Sequence, residues 1–260
     1  MRSRTGELAI GAIALGSLVG IWQLAPIAQD PAYHAFVDTR TLIGVRNGLN
    51  VLTNIGFLLV GVVGLGYCLG CRQLEAPWSW RVFFLGVIAV AFGSAHYHLV
   101  PNSETLVWDR LPMAVGFMGL FVALIGEYLN RQAERWLLVP ACALGVVSVL
   151  YWQHTDDLRL YAWAQFFPLL ALLLLPVFGI NRYSHRRYLL YGLSCYAAAK
   201  VAEFLDAQTF AITGGQLSGH SLKHILATAG VFFVYLMLCR RQRHESENLS
   251  YAEQSPAVSS

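Results

Sequence analysis

Charge is what this sequence has least of. Only 13% of its 260 residues are Asp, Glu, Lys or Arg, while 56% are hydrophobic. A soluble domain of that length has no need of so much apolar sequence, so the composition excludes a water-soluble globular protein and indicates repeated membrane crossing. Strict apolar–polar alternation is also missing, and the apolar runs are about twice the roughly ten-residue strands of a membrane barrel. A β-barrel is thereby excluded, and helices remain. Cysteine is sparse as well. Of the five, Cys68 and Cys71 form a lone C-x-x-C without two further ligands nearby, and Cys142, Cys195 and Cys239 fall in apolar stretches. A four-ligand structural zinc site at these cysteines is excluded, and the thiols read as packing residues. The net charge of +3 comes mostly from arginines at the ends of the apolar runs, and no nucleic-acid partner is implied.

What is present is a set of runs near the 20 or so residues a spanning helix needs. Eight are legible: Leu8–Ala28, Leu49–Gly70, Val82–Val100, Trp108–Leu129, Trp136–Trp152, Leu160–Ile180, Tyr188–Leu205 and Gly219–Cys239. The expected fold class is all-α, a polytopic membrane helix bundle with a seven-helix core and one extra N-terminal transmembrane helix. Residues 1–30 form the anchor helix, 31–240 the core, and 241–260 a polar, disordered cytoplasmic tail. Arg2 and Arg4 before the first run also suit a cleaved signal peptide. That run is longer than a signal core and lacks a small-x-small site before Pro26, so a retained helix is expected.

Arginine placement sets the orientation. Alternate connecting segments and the terminal ones hold Arg2, Arg4, Arg72, Arg81, Arg131, Arg135, Arg182, Arg186, Arg187, Arg240, Arg241 and Arg243, whereas the other side holds Arg40, Arg46, Arg110 and Arg159. The bias puts both termini in the cytoplasm. Most conspicuous polar residues of the spans then fall in one outer layer: Asn50, Asn54, Ser94, His98, Asp109, Lys200, Glu203, His220 and His224. The cytoplasmic half reads as plain hydrocarbon sequence. Ionisable groups inside a bilayer are costly and mark a site or a pathway.

Ser94 and His98 are four residues apart, as are His220 and His224, so each pair shares one helical face. Three imidazoles with a carboxylate and a hydroxyl nearby suit a catalytic zinc that keeps one position open for water. Plainer readings exist for each residue. His98 alone could be an interfacial hydrogen-bonding group, Ser94 a small residue for close packing, and Asp109 a helix cap. Lys200 and Glu203 can neutralise each other, and Asn50 and Asn54 can serve as interhelical glue. His96, on another helix face from His98, reads as interfacial packing, and His34, His154, His185 and His244 have no spacing that singles them out.

The stretches Asn47-Gly-Leu-Asn-Val-Leu-Thr-Asn54, Gly93-Ser-Ala-His-Tyr-His98, Trp108-Asp-Arg-Leu-Pro-Met113 and Gly219-His-Ser-Leu-Lys-His224 resemble the alkaline ceramidase family, within the membrane-hydrolase superfamily that includes the adiponectin-type receptors. The resemblance covers roughly residues 38–240. It implies a seven-helix bundle holding zinc through His98, His220 and His224, with Ser94 and Asp109 beside the metal, and cleavage of the amide bond of ceramides to a fatty acid and a sphingoid base. Eukaryotic members carry an acidic, calcium-binding segment before the first core helix. Here Asn47 stands where a family glutamate would align, and Asp38 alone does not build a calcium cage.

The function expected is zinc-dependent hydrolysis of ceramide-like N-acyl lipids, with Asp109 as proton carrier and Ser94 as hydrogen-bonding group. The partners are the lipid amide and membrane lipids, and no protein partner is implied. The expected location is a bacterial inner membrane, with the site near the outer face. Three other classes remain open. A lipid receptor or sensor of the same architecture would bind without steady turnover. An intramembrane serine protease would pair Ser94 with a histidine. A transporter would need polar groups in the cytoplasmic half, which the sequence lacks.

Overall fold

A computed structural model describes residues 2–71 and 73–244. The described chain is helical, with α1 (Arg2–Trp22), α2 (Gly48–Leu52), α3 (Ile55–Gly70), α4 (Pro77–Leu99), α5 (Ser103–Tyr128), α6 (Ala133–Thr155), α7 (Arg159–Phe178), α8 (Arg187–Phe204), α9 (Asp206–Ile212) and α10 (Gly219–Arg240). Seven spans are long and apolar enough to cross a membrane, α2 and α3 counting as one, and they make this a multi-pass membrane protein. The exception is α8, which carries Lys200 and Glu203. It nevertheless runs antiparallel along α10 from end to end. Arg240 donates to the Tyr188 hydroxyl at 2.9 Å at one end, and Lys223 meets Glu203 at 2.9 Å at the other. The eight-run reading therefore stands in outline.

Several boundaries move, for local reasons. The first helix starts and ends about six residues earlier than the apolar run, because residues 23–30 leave the helix as a strap. Arg159 donates to the Leu24 carbonyl at 2.7 Å, and the Leu158 amide to the Ile27 carbonyl at 2.8 Å. In the turn between α6 and α7, hydrogen bonds from Arg159 hold the Asp157 carboxyl down to about 2. The fourth run begins at Ser103 rather than Trp108, since Asn102 and Thr105 form a capping box. Asp109 consequently lies inside α5 and caps nothing. The run 49–70 breaks between α2 and α3 at Thr53 and Asn54.

α5 is the central helix, packed by α4, α6 and α7, while α10 packs on α8 and α3. α1 lies outside this core against α7, where Trp163 donates to the Ser17 hydroxyl at 3.0 Å. The end of the bundle away from the histidines is not plain hydrocarbon. Glu127, inside α5, is 4% exposed and pairs with Arg241, itself 5% exposed, and accepts from the Trp80 indole at 2.8 Å. Residues 241–244, where the disordered tail was expected to start, are held by the neighbouring loop. Gln242 and His244 exchange backbone hydrogen bonds with Ser184 and Arg182 at 2.9 and 3.0 Å, and the remainder of that tail, from residue 245, lies outside the described residues. Glu127→Ala leaves Arg241 buried without its carboxylate. The expected cost is about 3–5 kcal/mol, read as a fall of about 10 °C in the thermal midpoint in detergent.

Candidate metal centre

The histidines reach one another through two close helix approaches that only glycine permits. A Cβ on Gly93 would stand 2.0 Å from the Trp108 carbonyl oxygen, so α4 and α5 touch there and Ser94 comes to rest beside Asp109. A Cβ on Gly219 would stand 2.0 Å from the Ala202 carbonyl oxygen, which lets the first turn of α10 sink against the end of α8. The free amide of His220 at that helix start donates to Asp206 Oδ1 at 2.7 Å. At the end of α4, the His98 carbonyl accepts from the Asn47 side-chain amide at 2.7 Å. Asn47 holds a left-handed backbone, φ 51°, which Asn tolerates better than most residues.

All three predicted ligands are buried and converge. His98 Nε2 lies 3.3 Å from the Nε2 atoms of both His224 and His220, and the three atoms lie within 4.8 Å of one another. Two nitrogens bound at about 2.0–2.1 Å to one tetrahedral ion stand about 3.3–3.4 Å apart, so these separations fit a shared ion. The tautomer of His224 points the same way. The Thr53 hydroxyl spends its proton on the Leu49 carbonyl at 2.7 Å, so its oxygen accepts from His224 Nδ1–H at 2.8 Å. The Nε2 lone pair of His224 is then left for a cation. The residues present thus fit a divalent ion, and the cluster could hold one.

Around the trio, Phe36 lies over the rings of His98 and His220, with centroids 4.8 and 4.5 Å away. The segment carrying it is tied down by Asp38, whose carboxylate takes two hydrogen bonds from Arg40 at 2.8 and 2.7 Å. That pairing holds the Asp38 carboxyl below the usual carboxylate range. Asn50 works as interhelical glue, accepting from Ser221 at 2.7 Å, and Asn54 donates to the Asn50 carbonyl at 2.7 Å. His96 is exposed on another face.

Ser94 and Asp109 are buried together, and the serine hydroxyl is among the groups acting on the carboxylate. The histidines face one another instead, so the serine–histidine dyad of a protease is not assembled. A cavity of about 320 Å³ opens at Ser94, Asp109 and His224 and continues between α4, α5 and α7 on one side and α8 and α10 on the other. Beyond the polar end its walls are apolar, including Val87, Leu120, Leu193 and Val234. From His224 to Val234 the cavity follows α10 for about 15 Å at the helical rise.

Thr53, Phe36, Tyr33, Arg110 and Lys223 belong to this region and were not legible as site residues. Glu203 pairs with Lys200 at 2.8 Å, as the spacing suggested, but also with Lys223 at 2.9 Å. Lys223 Nζ further stands 3.0 Å from His220 Nε2. The one available signal was a lysine lying between the two histidines of α10. Among families, the model described as Ceramidase matches residues 45–258. Among curated proteins, none matches this chain.

Proposed function

Because the chain belongs to the ceramidase family, we propose that it is a zinc-dependent amidohydrolase that cleaves ceramide-like N-acyl lipids to a fatty acid and a free amine. One observation carries the reading: three mutually close imidazole nitrogens stand beside a buried Asp109–Ser94 pair at the head of an apolar cavity. His98, His220 and His224 would hold the ion. When bound, zinc polarises a carbonyl and brings the pKa of water at its open position to about 7.

This chain's own residues handle the rest. Asp109 accepts the proton of the attacking water and returns one to the amine nitrogen as the carbon–nitrogen bond breaks. Ser94 holds the carboxylate through one hydrogen bond and orients it. Thr53 keeps the proton of His224 on Nδ1. The apolar walls take the acyl chain and keep bulk water from it.

Arginine placement supports a site on the non-cytoplasmic side. Arg81, Arg131, Arg182, Arg241 and Arg243 gather at the bundle end remote from the histidines, as they would on the inner side of a bacterial inner membrane. We read α1 as a retained anchor added to the family's core, since the match begins at residue 45.

The test is incubation of the purified protein with N-acyl lipid amides and detection of both products by mass spectrometry. Steady, chelator-sensitive release of fatty acid and amine is expected. Binding without release would make the protein a receptor instead. Within the same assay, Thr53→Val is expected to weaken zinc binding by about 10–100-fold while the fold persists, as measured by competition with a metal-sensing dye.

A further inference from the structure

The charged residues lining the cavity are unbalanced. Asp109 and Glu203 supply the negative charge, while Arg110, Lys200 and Lys223 supply the positive. Asp109 lies within electrostatic reach of Lys223 and Arg110 without an ion pair to either, and the single carboxylate of Glu203 is shared by Lys200 at 2.8 Å and Lys223 at 2.9 Å, so three cations face two carboxylates. Glu203 also accepts from the Tyr33 hydroxyl at 3.2 Å. Among the described residues, no carboxylate forms an ion pair with Arg110. One nitrogen, Nη2, donates to the neutral Gln29 side chain at 2.6 Å. Nη1 is buried without a hydrogen-bond partner, and the guanidinium lies 4.1 Å from the Trp152 ring and 4.8 Å from the Tyr161 ring.

Stacking on aromatic faces favours a cation but does not neutralise it. An uncompensated cation within a membrane bundle is costly, and three neutral imidazoles add nothing negative. Amide hydrolysis by Asp109 and Ser94 needs none of these cations, so the excess positive charge calls for another explanation.

We propose that the polar end of the cavity binds an oxyanion carried by the lipid, with Lys223 and Arg110 as the groups that select it. This rests on the hydrolase reading for the identity of the site. The oxyanion has two possible sources with the same chemistry: an acidic group on the amine half of the substrate, or the carboxylate of the released fatty acid.

The test measures equilibrium binding to the full-length protein in non-ionic detergent, with two pairs of probes. N-palmitoylglycine is compared with N-palmitoylglycinamide, and palmitate with methyl palmitate. In at least one pair the acid is expected to bind about 10-fold tighter than its neutral counterpart, equivalent to one charge-assisted contact. Lys223→Met and Arg110→Gln should each reduce that preference. Preference in the glycine pair assigns the oxyanion to the substrate's amine half, and preference in the palmitate pair alone assigns it to the product. Equal binding of acid and neutral probe in both pairs by the unmodified protein overturns the proposal, as does a preference that neither substitution changes. Because binding is read without turnover, a protein that discriminates yet releases no product would sink the hydrolase reading and leave the oxyanion site standing.

Discussion

His220→Ala is expected to abolish both zinc binding and turnover. His220 supplies one of three nitrogens, and His98 Nε2 lies within 3.3 Å of it. Two remaining imidazoles do not complete the three-ligand set of a catalytic zinc. Second-group substitutions around such ions cost about 10–100-fold in affinity, and loss of a ligand itself should exceed that. Metal analysis of the purified variant should find the zinc gone, and product release should fall to background. The fold should survive, because α10 remains anchored by Ser221 to Asn50 at 2.7 Å and by Tyr188 to Arg240 at 2.9 Å. Helical content by circular dichroism checks this. A variant that keeps its zinc would show that the histidines are hydrogen-bonded core residues.

Asp109→Asn separates proton transfer from metal binding. The carboxylate is buried beside Ser94 at the cavity's head and is not one of the clustered metal-binding groups. Asparagine keeps the shape and still accepts the serine's hydrogen bond, but it cannot take up a proton at neutral pH. General acid–base assistance contributes about 10²–10⁴-fold, so kcat should fall by that factor with zinc content unchanged. Full activity in this variant would remove Asp109 from the chemistry. Loss of zinc together with activity would instead place it among the ligands.

The parts of the site that the sequence disclosed are those with short-range spacing. Ser94 and His98 share a helical face, as do His220 and His224, and their convergence follows from the alternation of spans. The family's motifs then linked the two halves. What stayed hidden depends on contacts between distant residues. Thr53 looks like an ordinary helical threonine until its hydroxyl meets a histidine 171 positions away. Glu127 was passed over in a half of the bundle that reads as plain hydrocarbon, because its partner Arg241 lies 114 positions further on. Lys223 was part of a quoted motif, yet its pairing with Glu203 required the antiparallel contact of α8 and α10. α8 itself shows the limit of counting apolar residues. Lys200 and Glu203 hold down its apolarity, although it runs the length of a spanning helix.

The break in the run 49–70 has the same origin. Nothing in its apolar sequence demands an interruption, since Thr53 and Asn54 both fit in helices. At the interruption, the Thr53 hydroxyl serves the Leu49 carbonyl and His224 together.

The most direct test follows zinc content and amide hydrolysis together through removal and return of the metal. The protein as purified should carry about one zinc per chain. Stripping it with a chelator should abolish fatty-acid release in proportion to the zinc lost, and stoichiometric zinc should restore it. Undiminished hydrolysis by a chain shown to be free of metal would contradict the account at its root.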